Sequence, residues 1–327
     1  MVSYVIKRIA ESIPTIIIGI TLTFLVIHLS PGDPGSRFMD PSQPSEYREI
    51  LQNRFGLNDA LHIQYIKWLK QVLFHFDFGN SFYNGKPASG MVFSALRPTM
   101  LLAICSLIFA LIVGIFLGII AAVYRDALPD RILTAKMMFF FSTPSFWLGI
   151  MLLGIFSIKL GWFPASHLTS LYHDQLNWSG RFADYVHHLI LPVITLGLPL
   201  SATFYRYIRT GMIEALESEY ILASRARGLS VSKLLFHYSL KNSLIPLISV
   251  LGITIPALLS GALVVEVIFS LPGLGRTMVS AVFSRDYPII LAASTLAFVT
   301  VIVGNLLADV IYSMVDPRIR IKTQGVL

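Results

Sequence analysis

Polar residues in this chain are gathered into a few clusters, and the uncharged stretches between them are too long for the core of a soluble domain. Six of these stretches reach the roughly 17–25 residues that a helix needs to cross ~30 Å of hydrocarbon. They are Ile13–Leu29, Met100–Tyr124, Met137–Ile158, Leu189–Tyr205, Leu244–Val265 and Pro288–Ala308. With short flanks, they predict transmembrane helices over 9–29, 99–124, 136–158, 188–208, 244–266 and 288–310. A β-barrel would show ten-residue segments of alternating character, and none is visible. The expected fold class is an all-α membrane protein of six transmembrane helices, one domain over 1–327. An extracytoplasmic segment spans 30–98 and a long cytoplasmic loop spans 211–243.

Within the outer segment, Leu61, Tyr65, Trp68, Leu69 and Val72 recur at helical spacing beside Lys67, Lys70 and Gln71. This predicts an amphipathic helix at the outer surface. Docking of an extracytoplasmic partner and packing on the neighbouring spans are both open roles for it. Prolines punctuate the spans at Pro14, Pro144, Pro192, Pro199, Pro246 and Pro256. Each removes a backbone hydrogen bond that lipid cannot replace, so kinks are expected unless neighbouring helices compensate.

Composition agrees with a bilayer setting: 55% of residues are hydrophobic and 13% charged, with a mean hydropathy of +0.70. The formal charge of +7 does not point to nucleic acid, because the basic residues sit at the ends of spans. Lys7, Arg8, Arg125, Arg131, Lys136, Arg206, Arg209, Arg225, Arg227, Lys233, Lys241, Arg318, Arg320 and Lys322 share one side. Arg181, Arg276 and Arg285 lie in short loops on the other. By the positive-inside rule both termini are cytoplasmic. Ser30-Pro31-Gly32-Asp33-Pro34 after the first span is unlike a cleavage site, so that span is expected to be a retained anchor. The one cysteine, Cys105, lies inside the second span and excludes an internal disulfide.

The loop 211–243 is a charged, helix-prone stretch between two spans of membrane-crossing length. Ser218 is placed to cap a helix beginning at Glu219, whose charge suits the positive end of the helix dipole. Ala223 and Ala226 are small, Arg225 and Arg227 offer charged donors, and Gly228 is a natural stop. Ser230 can cap a second helix leading into the fifth span. Taken alone, a basic helical hairpin at the inner surface also suits anionic lipid heads.

The chain resembles the membrane permease subunits of bacterial ATP-binding-cassette importers of the type I fold, in the dipeptide and oligopeptide (peptide/nickel) branch. In the loop the resemblance rests on Glu219-Tyr220-Ile221, Arg225-Ala226-Arg227-Gly228-Leu229 and Leu240-Lys241-Asn242-Ser243-Leu244-Ile245-Pro246. Elsewhere it rests on Pro31-Gly32-Asp33-Pro34, Phe55-Gly56-Leu57, Phe76-Asp77-Phe78-Gly79-Asn80-Ser81 and Pro144-Ser145-Phe146-Trp147-Leu148-Gly149. Leu160-Gly161-Trp162-Phe163-Pro164, His188-Leu189-Ile190-Leu191-Pro192, Glu266-Val267-Ile268-Phe269, Leu271-Pro272-Gly273-Leu274-Gly275 and Asp316-Pro317-Arg318 complete the series. One departure concerns the Glu-Ala-Ala pattern of other importers. Counting back from Gly228, Leu222 takes the Glu place, followed by Ala223 and Ser224, and Glu219 lies one turn earlier.

The resemblance implies that Glu219, Tyr220, Ala223, Ser224, Arg225, Ala226, Arg227, Gly228 and Leu229 couple this chain to an ATPase subunit. The implied assembly holds a second permease, expected to differ from this one, with two cytoplasmic ATPases and an extracytoplasmic substrate-binding protein, in a bacterial cytoplasmic membrane. No Gly-x-x-x-x-Gly-Lys-Ser/Thr loop occurs, so the chain is expected to be non-catalytic and to bind no cofactor, with ATP and Mg on the partner ATPases.

Glu266, at the outer end of the fifth span, is a candidate pathway residue facing a peptide amino terminus; pairing with Arg276 or Arg285 is the structural alternative. Asp309 is expected to snorkel or pair with a basic neighbour. His167, His173, His187 and His188 lack compact ligand spacing, and no resident metal is expected. The expected cargo is short peptides. The alternatives are nickel or a metal chelate moved by the same machine, and an ion-coupled secondary carrier, which would show intramembrane charges and paired broken helices.

Overall fold

The computed structural model describes residues 2–29 and 59–315. The motifs at Pro31–Pro34, Phe55–Leu57 and Asp316–Arg318, and the side chains of Lys7, Arg8 and Asp309, lie outside that description. Ten α-helices are used below: α1 Val2–Leu29, α2 Leu61–His75, α3 Ala88–Val123, α4 Leu128–Ser142, α5 Ser145–Leu152, α6 Trp178–Glu217, α7 Glu219–Ala226, α8 Leu240–Ile268, α9 Leu274–Ser284 and α10 Tyr287–Val315. Among the described residues the extended pairing is an isolated antiparallel bridge between Asn80 and Pro87. Among the described residues five helices are long and apolar enough to cross a membrane, and six if one bent pair counts as a span.

That pair corrects the expectation of a single helix over 136–158. α4 ends at Ser142, Thr143 is extended with ψ 124°, and Pro144 precedes α5. α5 then continues through a π-helical stretch, Leu153–Lys159. The two axes are bent by 104°. Steric conflict with the proline ring drives the preceding residue out of the helical region, so Thr143 breaks what hydrophobicity alone would keep straight. Pro192 and Pro199, by contrast, sit inside α6 without ending it.

The described residues fall into two compact units, one of residues up to Pro98 with 272–302 and the other of 99–271 with those from Val303 on. In the first, Phe24 and Ile27 of α1, Val72 of α2, Val92 of α3 and Ile289 to Ala293 of α10 share a core, with Tyr65 and Trp68 packed against it. The Tyr65 hydroxyl lies 2.6 Å from Thr21 Oγ1, and its ring is 5.2 Å from that of Phe24. The aromatic face of α2 therefore packs on the first span. The turn after it is stapled by Asp286, which accepts from the Ser81 hydroxyl and, at 3.0 Å, from the Phe82 N–H.

In the second unit α6 packs on α3, α4 and α8. Forty residues at 1.5 Å each give about 60 Å, so both ends of α6 extend beyond the hydrocarbon. The crossing with α3 depends on two glycines one turn apart. A Cβ built on Gly114 would lie 2.6 Å from Phe204 Cβ and 2.8 Å from the Ser201 carbonyl oxygen, and one on Gly118 would lie 3.0 Å from the Tyr205 carbonyl oxygen. Small residues at this spacing let backbones meet where lipid supplies no hydrophobic drive.

Candidate functional site

The chain leaves α6 at Glu217, turns through the extended Ser218 and enters α7 one residue later. Ser218 occupies the cap position as expected, but its hydroxyl donates back to the Ala215 carbonyl. α7 ends at Gly228, whose φ is +80°. The Gly228 N–H donates to the Arg225 carbonyl at 3.0 Å and the Leu229 N–H to that of Ser224 at 3.3 Å. This is the paired closure of a helix by a left-handed glycine. The second helix starts directly after Ser230, whose carbonyl accepts from the Leu234 N–H at 3.1 Å. The chain resumes helical form at Val231, passes through a π-helical stretch, Lys233–Ser239, and runs unbroken into α8.

The sequence-predicted coupling residues are brought together on this short element. Glu219, Tyr220, Ala223, Arg225, Ala226, Arg227 and Gly228 are exposed, and Ser224 and Leu229 are half-buried. Ile221, 3% exposed, is the side chain that α7 sinks into the body. Tyr220 fixes the other flank, its hydroxyl accepting from the Asn242 side-chain amide at 2.5 Å. The result is a basic, small-residue surface presented to solvent. No Cβ neighbour lies within 4 Å of Gly228, so the tip is open to another molecule.

Glu266 is not brought to this surface. It is fully buried beside Val265 and Phe269 and accepts a hydrogen bond from Thr99 Oγ1 at 2.6 Å. Of the histidines, His173 and His188 converge on Asp184, at 2.7 and 3.3 Å, while His187 lies 2.8 Å from the Trp162 carbonyl oxygen. These contacts tie the outer loop to the start of α6. Among the described residues no three His, Cys, Asp or Glu side chains are arranged to hold a metal ion.

Sequence reasoning missed Asp130. Leu128 and Pro129 open α4 and Asp130 lies in its first turn, where a carboxylate suits the helix dipole. It sits before the apolar part of the third span and is 2% exposed. Both its oxygens accept from Arg209, Nε and Nη2 each at 2.7 Å. The Asp126 N–H adds a bond at 3.0 Å and the Thr134 hydroxyl one at 3.3 Å. The Arg209 hydrogen bonds hold the carboxyl at about 2 against the opposing effect of burial. The available signal was an acid next to the proline that opens a helix, but its partner is 79 residues away.

Residues 114–321 match the family described as "Binding-protein-dependent transport system inner membrane component", and residues 1–113 match its N-terminal membrane component. The oligopeptide transport system permease protein AppB of Bacillus subtilis (strain 168) is 39% identical over 321 residues, 98% of this chain and 99% of that protein. The glutathione transport system permease protein GsiC of Escherichia coli (strain K12) is 35% identical over 322 residues, 98% and 100% of the two chains. A chain of the inward-facing MetNI methionine ABC transporter superposes with a TM-score of 0.55 at 16% identity, covering 69% of this chain and 96% of that one. That likeness concerns the fold. With both family segments matched end to end in one all-helical, multi-pass chain, this protein belongs to the binding-protein-dependent transport system inner membrane components.

Proposed function

We propose that this chain is one of two permease subunits of an ATP-driven importer of short peptides, and that α7 is the element on which a cytoplasmic ATPase docks. The observation that carries the cargo is near full-length similarity to permeases of oligopeptide and glutathione transport systems, glutathione being a tripeptide. Support for docking comes from the exposed helix Glu219–Ala226, closed by Gly228 and anchored through Ile221 and Tyr220. Chemical energy enters from ATP and Mg on the ATPases, and this chain is the non-catalytic part. An extracytoplasmic binding protein delivers cargo to a pathway shared with a second, non-identical permease. α7 follows α6 with one residue between them, so closure of the ATPases would pull directly on the fourth span.

The test is reconstitution of the chain with its co-expressed subunits in liposomes. Peptide in the presence of the binding protein should stimulate ATP hydrolysis and be taken up, while Gly228→Pro should lose stimulation with the subunits still associated. Uptake of nickel but not peptide would transfer the reading to a metal-chelate importer. Uptake driven by an ion gradient without ATP would overturn it.

A further inference from the structure

α4 and α6 meet along a polar ladder next to the docking helix. On α4, Met137, Thr134 and Asp130 are three and four residues apart; on α6, Ala202, Tyr205 and Arg209 have the same spacing, so each set lines one helix face. Met137, Ala202 and Tyr205 share a buried cluster. Thr134 Oγ1 and the Tyr205 hydroxyl are 2.8 Å apart, and Asp130 takes the two-pronged bond from Arg209. Beyond them Arg125, in the turn before α4, pairs with Glu217, the last residue of α6.

An ion pair this buried is poor evidence for stability as such, because apolar side chains of similar volume commonly hold helices together as well. What the planar guanidinium fork adds is orientation, since two parallel bonds admit one angle of approach. The ladder also ends where α6 hands over to α7. We infer that Asp130 and Arg209 are positioning residues, which clamp the inner turn 124–131 to the end of α6 so that the third and fourth spans move together when α7 is displaced. The inference rests on the reading of α7 as the ATPase-docking helix.

The experiment uses the whole complex in liposomes and measures peptide taken up per ATP hydrolysed. Asp130→Asn should lower that ratio at least fivefold while hydrolysis continues, and the exchange Asp130→Arg with Arg209→Asp should restore at least half of it. An unchanged ratio in Asp130→Asn would overturn the inference. In a second measurement Arg125→Cys and Glu217→Cys are bridged by a short bis-maleimide cross-linker, with unsubstituted protein as the control for Cys105. A turn that travels with α6 tolerates the bridge, and uptake should stay within twofold. Uptake blocked by the bridge would show that turn and helix part in each cycle, and the clamp would be wrong. This measurement decides alone if Asp130→Asn does not assemble. Gly228→Pro is run in parallel: if it leaves coupling intact, the docking reading fails; if it uncouples while the clamp variants do not, only the clamp fails.

Discussion

Thr99 Oγ1 donates to the buried carboxylate of Glu266 at 2.6 Å, joining the third helix to the end of the eighth. An acid so deeply placed depends on its donors, and removing one costs about 1–3 kcal/mol. Thr99→Val should therefore lower the thermal midpoint of the purified protein, and Glu266→Leu should lower it further. Neither change should alter which peptides compete for uptake. A shifted peptide preference with an unchanged midpoint would return Glu266 to the transport pathway.

At Gly228 the space is free and the backbone is the constraint, with φ at +80° and no Cβ neighbour within 4 Å. Gly228→Ala should cost about 1 kcal/mol, the left-handed penalty for an L-residue, and Gly228→Asn less. Both should keep peptide-stimulated hydrolysis within a few-fold of the native chain. Gly228→Pro removes the N–H that bonds to Arg225 and should abolish stimulation. Hydrolysis assays on the three variants give the order directly.

Gly114 reverses that balance, because a Cβ there would press on Phe204 and on the Ser201 carbonyl. Overpacking of this kind costs about 1–3 kcal/mol for a small group and more for a branched one. Gly114→Ala should reduce the yield of folded protein, and Gly114→Val should nearly eliminate it, as read by size-exclusion chromatography in detergent.

The Asp130 carboxyl, held at about 2 instead of 3.8, makes a stability contribution that depends on pH. Its folded value lies below its unfolded one, so the contribution is complete above the unfolded value and disappears as pH falls through the folded one. The shift corresponds to about 2 kcal/mol. Native protein and Asp130→Asn should differ in thermal midpoint at pH 5, and the gap should close between pH 4 and pH 2. A gap independent of pH would assign the effect to packing.

Local patterns carried much of this protein. Apolar runs marked every span, since hydrocarbon thickness imposes a length on any helix that crosses it. Glu219 and Gly228 marked the two ends of α7 because a helix dipole and a left-handed closing residue are properties of a few consecutive residues. The same locality explains the failures. Thr143-Pro144 announced a break, but not that the two helices would meet at 104°. Ser230 marked the start of the helix that enters α8, but not the π-helical stretch Lys233–Ser239 within it.

The sequence by itself determined an all-helical multi-pass chain, the position of the short helix α7 and its family, since hydrophobic length and backbone preference are fixed residue by residue. Only the tertiary structure decided that Glu266 is buried against Thr99 and that Asp130 belongs to Arg209. Residues 167 and 79 positions apart acquire partners only when helices pack, and no spacing along a single chain records which faces will meet.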